Sequence, residues 1–591
     1  MKYSVKGFDK AVAYYKGELR GLLKKGDACL VDIPLKNSKA FYSIAPLSRA
    51  IHELKGDMDL FVVDGRSKSL VALKKTWKVF NGPPSKKRDA LDEFITAVNR
   101  KAKNRKFVRL FKEPELFITV SKKGFVAGDK TMEFRTNWFK KRLWRKLLAT
   151  CTRILEQGYA LKKSEKFSVS FELMPTKKDL DLPFDDYIDN FSIAYAMALA
   201  AKKMCKRVGL GSSTSRMSQL EPMNRLSDLS STLVGCEYEK NIKEPVFKKF
   251  KKLSKLMNYN VLTPNDAAFG VHGKGYGGKH FFGLEVGYPT PNKKSRWQSP
   301  GQMFLKPFWY LQSKIDNREP KTRYAITGTL PLENFIRTCY IDFFKLRELD
   351  DAIRKIVKKG KTIYFKGKQM KQGRTDLKLD LTPVLKGKSP VLASDIEVNP
   401  SIPSESAQTF KMKSGRYGNF PGGEVFWTPY DLNGTYLGDV VINVDQSYII
   451  GNKKPLIIEI KHGFYKVKSG PAKILKALVK RKKESRKLIG LYEKNKSMPK
   501  NVINIYKKNF NRVGEIAINT NPKAKLSRYL IETEKIARMM HIALGSGYEP
   551  KRETTYHCDI VLNCPRQKMD IWVETPKGET IWIMRKGKHV V

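Results

Sequence analysis

Residues 534–559 read EKIARMMHIALGSGYEPKRETTYHCD and hold two of the chain's seven histidines, His541 and His557, with Asp559 two positions beyond the second. In a β-strand, side chains two apart share a face. His557 and Asp559 therefore present an imidazole and a carboxylate in one direction, which is half of a site for a divalent metal ion. The alternation turns Cys558, between them, to the opposite face, so it is not read as a ligand. The apolar run around His541 reads as a second strand that ends in the turn Gly545-Ser-Gly547, and Tyr548 follows. A phenol at that place can donate a hydrogen bond to a developing oxyanion. A histidine within an apolar run also suits a hydrogen-bonded core residue, and the spacing alone leaves both readings open.

Outward from this stretch the pattern is mostly β. Residues 415–445, GRYGNFPGGEVFWTPYDLNGTYLGDVVINVD, alternate short β-rich runs with turn residues and predict an antiparallel sheet. Residues 454–470 and 569–587 read as hairpins, 361–368 and 375–384 as strands, 472–498 as a strongly basic helix, and 526–537 as a helix. The N-terminal part differs. Helical spacing ending at Gly26, the strand ACLVDIPL, a helix near 43–56 and the strand DLFVVDG predict a parallel βαβ unit. Helices are further expected from Asp89 and over 138–158. The expected fold is an α/β N-terminal domain, residues 1–345, and a β-dominated α+β metal-binding domain, residues 346–591. Residues 162–323 read as an elaboration of the first domain or a small insertion.

The net charge is +56, but it is spread evenly, at +9 to +11 in each successive hundred residues and +7 in the last 91. A nucleic-acid surface would concentrate that charge, so no specific nucleic-acid partner is expected. The gaps in it say more. From Tyr417 to Asn452 there is no Lys or Arg, where overall frequency predicts about seven, and the stretch carries Glu424, Asp431, Asp439 and Asp445. Smaller gaps run over 513–522, 539–550 and 553–565. A dication site benefits from such gaps, because a neighbouring ammonium repels the metal and competes for its carboxylates. Residues 179–201 are also free of basic residues and carry five Asp early on; these predict a solvated acidic loop leading into a helix.

Seven dispersed cysteines without a CxxC pair suit reduced thiols. With no apolar run of membrane-spanning length and no signal-peptide pattern, the expected location is cytoplasmic and no membrane association is expected. The segment GKGYGGKH (273–280) nearly matches a phosphate-binding loop but has His280 where a magnesium-holding hydroxyl belongs.

With Glu424 and Glu515 beside the histidines, the chain resembles the aminopeptidase T family of two-metal metallo-aminopeptidases. The resemblance rests on PGGEVFWTP (421–429), NGT (433–435), GEIAINTNP (514–522), EKIARMMHIALGSGY (534–548) and TYHCDIVL (555–562), and extends over about 324–591. It implies Glu424, Glu515, His541, His557 and Asp559 as ligands of two divalent ions (zinc, cobalt or manganese), with Glu534 as a further ligand and Tyr548 as the catalytic tyrosine. It also implies peptide substrates, a two-domain clamshell and a homodimer. In this reading Glu515 is the candidate proton shuttle, and which glutamate bridges the ions is open. Departures lie in the short segment after Tyr548 and in HCD where the family's bulkier HWD is expected, which alters the substrate pocket more than the metal set. Two other readings stand beside it. A mononuclear iron ring-cleaving dioxygenase on a related fold would need the His and Asp ligands but not both glutamates, and a non-catalytic basic nucleic-acid-binding protein would need concentrated charge.

Overall fold

Strand, helix and strand follow one another at the N-terminus as the spacing predicts. Ala28–Pro34 lies parallel to Asp57–Val63, with Ala28 opposite Asp57, and helix Ser38–Glu53 connects them. Asn37 starts that helix by accepting a hydrogen bond from the Ala40 amide at 3.0 Å. The computed structural model describes residues 2–64, 68–102, 113–180, 182–205, 207–213, 245–257, 266–271, 323–328, 330–394, 398–402, 416–494, 500–547 and 551–591. These residues form two compact units that divide between Ile336 and Arg337, nine residues before the expected boundary. The motif 273–280 and Tyr548 lie outside the described residues.

In the first unit, Leu116–Val120 joins the free side of Ala28–Pro34 in parallel and continues into two short antiparallel strands. On the other side, Arg207–Ser213 runs antiparallel to Asp57–Val63. Next to it lie Lys166–Phe171, Ala267–Val271 and Arg323–Thr327, all parallel. The described strands of 162–323 thus belong to the same sheet, within the first unit.

Helix Phe184–Met204 begins earlier than its alanine-rich segment, with Asp185 and Asp186 in its first turn, where carboxylates oppose the helix dipole. The expected solvated acidic loop is therefore corrected: Asp186 and Asp189 are buried within this helix. The helix expected over 138–158 is α-helical from Trp144 to Arg153 and closes in a π turn, Ile154–Gly158.

The second unit carries two antiparallel sheets. One runs in the order Phe464–Ser469, Leu456–Lys461, Leu432–Gly438, Asp376–Asp380, Thr362–Lys366, Asp570–Glu574, Thr580–Arg585, Lys588–His589. The other, which carries the histidines, runs Leu392–Ala393, Glu424–Trp427, Val513–Asn519, Met539–Gly545, His557–Asn563, Val441–Asn443, Ser447–Ile449. Tyr436, from the first of these sheets, donates its hydroxyl to the Ile560 carbonyl of the second at 2.5 Å, tying the two together. Helix Phe343–Lys359 is capped by Asp342, which accepts from the Phe344 and Lys345 amides, and ends at Gly360. It lies against the edge strand Leu392–Ala393 and its neighbour Glu424–Trp427.

The helix expected over 526–537 is a single turn, Leu530–Thr533. Its continuation is prevented because the backbone is committed elsewhere: Asn521 donates its amide to the Lys535 carbonyl and accepts from Ala537, a short parallel bridge. The Asn521 side chain uses all its bonding capacity, giving to the Thr338 and Gly422 carbonyls and accepting from the Lys523 and Ala524 amides. Among the described residues no helix is long and apolar enough to cross a membrane.

Candidate metal centre

Register places the site. Glu515 and Asp559 both lie opposite Ala543, one from each neighbouring strand, and His541 lies opposite Ala517 and Val561. Directly paired residues share a face, as do residues two apart. His541, Ala543, Glu515, Asp559 and His557 are therefore on one face, and Glu424, opposite Asn519, joins them. The methyl of Ala543 at the centre leaves room between the two carboxylates. Gly423 has φ +111 and a Cβ there would come within 2.6 Å of the Asn521 side chain, so only glycine lets the Glu424 strand start this close.

Glu515 faces a histidine with each oxygen. Its Oε1 is 2.9 Å from His541 Nε2 and its Oε2 is 3.4 Å from His557 Nε2. Asp559 lies 3.0 Å from His557 Nε2, and Glu424 Oε2 lies 3.7 Å from His541 Nε2. Both imidazoles are oriented from behind. His557 Nδ1 donates to the Ser546 carbonyl at 2.9 Å, and His541 Nδ1 is 2.9 Å from Asn519 Oδ1. That arrangement turns both Nε2 atoms toward the carboxylates, as an outer partner does for a metal-binding histidine.

Glu424, Glu515 and His541 form one group with ligand atoms within 4.8 Å of one another, and Glu515, His557 and Asp559 form a second. Every one of these residues is buried. The donor set fits a divalent metal, and one observation supports the fit directly: Glu424 Oε2 is buried without a hydrogen-bond partner, a costly state for a carboxylate oxygen unless a cation satisfies it.

Glu534 is brought to the same place but not into either group. Its Oε1 accepts from the Lys535 ammonium at 2.8 Å, and Lys535 also donates to Glu424 Oε1. A buried ammonium beside the carboxylates corrects the expectation of a site free of basic side chains. Lys535, Asn519 and the Ser546 carbonyl are the site components that the motif reading missed. Asn519 was detectable, since it follows Glu515 by four residues in a strand and so shares its face.

The charges respond to this crowding. Burial drives the Glu515 carboxyl upward, but hydrogen bonds from His541 and His557 outweigh it and hold the group well below the usual carboxylate range. Burial raises Glu534 to about 8 against the pull of Lys535, and raises Glu424 likewise. Burial lowers His541, yet Glu515, Glu424 and Asp559 prevail and raise it to about 9. His557 is raised for the same reason by Asp559 and Glu515. In the metal-free chain two imidazolium protons thus stand where a dication's charge would.

No protein-family model matches the chain, and no curated protein matches it. Among solved structures, wild-type AmpT from Thermus thermophilus is similar at a TM-score of 0.38 and 13% identity, over 76% of this chain and 99% of that one. A likeness this loose carries no argument about function.

Proposed function

We propose that the chain is a metal-dependent aminopeptidase that hydrolyses N-terminal residues from peptides. The observation that carries this reading is the pair of ligand groups sharing Glu515, which supplies one carboxylate oxygen to each. The order and identity of the motifs around Glu424, Glu515, His541, His557 and Asp559, resembling the aminopeptidase T family, support it.

In this reading Glu515 with Glu424 and His541 would hold one ion, and Glu515 with His557 and Asp559 would hold another. Bound there, divalent ions would supply polarisation of a scissile carbonyl and a water made nucleophilic near neutral pH. The chain's own residues do the rest. Asn519 and the Ser546 carbonyl hold the imidazoles in the ligating tautomer. Glu515, with one oxygen facing each histidine, is poorly suited to move a proton, so the shuttle expected of it is assigned in this reading to Glu534, which lies outside both ligand groups. Tyr548 remains the proposed donor to the oxyanion.

The test is metal content with hydrolysis of leucyl and alanyl p-nitroanilides, comparing the wild-type chain with Glu515→Gln after chelation and return of zinc, cobalt or manganese. About two ions per chain and a roughly thousandfold or greater loss in the variant, equivalent to about 4 kcal/mol, are expected. Metal bound without hydrolysis of any substrate in the panel would overturn the reading. One iron per chain in that case would favour the ring-cleaving dioxygenase.

A further inference from the structure

The Lys535 ammonium is the component of this centre that neither the motifs nor the proposed reaction uses. It is almost fully buried, at 1% side-chain exposure, and it holds one oxygen of Glu424 and one of Glu534. On the other side of the centre the arrangement differs. Asp559 pairs with His557, and no lysine or arginine pairs with it among the described residues. We propose that Lys535 makes the two metal positions unequal: it is a built-in counter-cation that weakens the Glu424–Glu515–His541 position, so that Glu515–His557–Asp559 fills first. This rests on the metal reading of the site given above.

Two physical arguments converge. The first is competition for a ligand atom. Lys535 takes Glu424 Oε1 and leaves only the unpartnered Oε2 to face His541, so a cation there gains a single oxygen from Glu424 unless the lysine releases the other. The second is charge. The Lys535 ammonium, held by Glu424 and Glu534, places its charge at the Glu424–Glu515–His541 position and not at the Asp559 side. In a buried site, where water screens little, the second ion therefore enters against repulsion from Lys535 that the first largely avoids. Glu534 has a defined part in this arrangement: its Oε1 anchors the ammonium, and it stands outside both ligand groups.

The experiment is calorimetric titration of the chelated full chain with manganese(II) alone, for the wild type, Lys535→Met, Lys535→Arg and Asp559→Asn. The wild type is expected to bind in two resolved steps. Lys535→Met strengthens the weaker step by at least about tenfold, as removal of a like charge a few ångströms away requires, and leaves the stronger step in place. Lys535→Arg keeps the weaker step weak, and Asp559→Asn removes the stronger one. Equal affinity for both ions in the wild type, or a weaker step that Lys535→Met does not move, would overturn the proposal, as would Lys535→Arg behaving like Lys535→Met. Circular dichroism checks folding. If Lys535→Met does not fold, the double variant Lys535→Met with Glu534→Gln removes the ammonium together with one of its carboxylates and takes its place. No manganese bound to the wild-type chain at any concentration would overturn the metal reading itself, a different outcome from binding without asymmetry.

Discussion

In the first unit, Asp189 is fully buried, and each of its oxygens is used. Oδ1 accepts from the Tyr3 hydroxyl at 2.6 Å and from Arg142 at 3.5 Å, while Oδ2 accepts from the Leu332 amide at 3.1 Å. Arg142 and Lys2 continue the network to Glu333, at 2.7 Å and 3.1 Å. In the second unit, Glu424 is as deeply buried, yet one of its oxygens has no hydrogen-bond partner, and carboxylates there outnumber the permanent cation. The first cluster satisfies its central carboxylate and ties the N-terminus to the helix that carries Asp189. The second is incomplete in a way that a dication would complete. Depth of burial alone does not separate the two clusters; what differs is that Glu424 has an unfilled oxygen within a group of potential ligands and Asp189 does not.

The largest expected effect tests the structural side of this contrast. Asp189→Ala leaves Tyr3, Arg142 and the Leu332 amide without their common acceptor, and breaking such a buried network costs about 3 kcal/mol. Urea denaturation should show that loss, with manganese binding by the folded protein unchanged. Loss of metal binding in the folded variant would mean the two clusters are not independent.

A smaller effect is expected behind the candidate metal ligands. Asn519→Ala removes the acceptor at His541 Nδ1 and should weaken manganese binding roughly ten- to hundredfold. An unchanged affinity would show that the histidine is held by packing alone.

The smallest effects concern protons, and the two clusters share their sign. Asp189 is raised to about 6 by burial against Tyr3, Leu332 and Arg142. Its contribution to stability is therefore present below the ordinary carboxylate pKa and is lost as pH rises through about 6. His541, raised to about 9, likewise contributes to the metal-free chain below the ordinary histidine pKa and loses that contribution as pH rises through about 9. The difference is that a metal ion displaces the histidine protons. Filling the centre at pH 7 should release about two protons, one from each imidazole, and affinity should rise with pH until His541 no longer carries a proton. Titrations in buffers of different ionisation enthalpy count them, and a count near zero would mean that the imidazoles are not ligands.

Much of the site was visible in the chain because strand alternation is a local rule. Once residues 539–545 and 557–563 are strands, His557 and Asp559 must share a face. The βαβ unit and the antiparallel C-terminal part were legible for the same reason, since apolar spacing and turn residues act within a few positions. Where local propensity met a tertiary commitment, the sequence reading failed. Residues 526–537 have helical spacing, but Asn521 and the buried Glu532, which accepts from the Lys525 amide and from Arg337, limit that segment to the single helical turn Leu530–Thr533. The aspartates at 186 and 189 look solvent-seeking in isolation, yet both are buried, and Asp189 is reached by partners far along the chain.

The sequence by itself therefore determined the chemical inventory: which carboxylates and imidazoles exist, which strands carry them and which neighbours share a face. Only the tertiary structure decided that Glu515 stands between the two histidines, that Asp559 and Glu515 meet across Ala543, and that Lys535 enters the centre. The physical reason is range. Side-chain direction follows from backbone periodicity within a strand, whereas strand order, register between distant segments and the pairing of buried charges depend on contacts between residues that lie far apart in sequence.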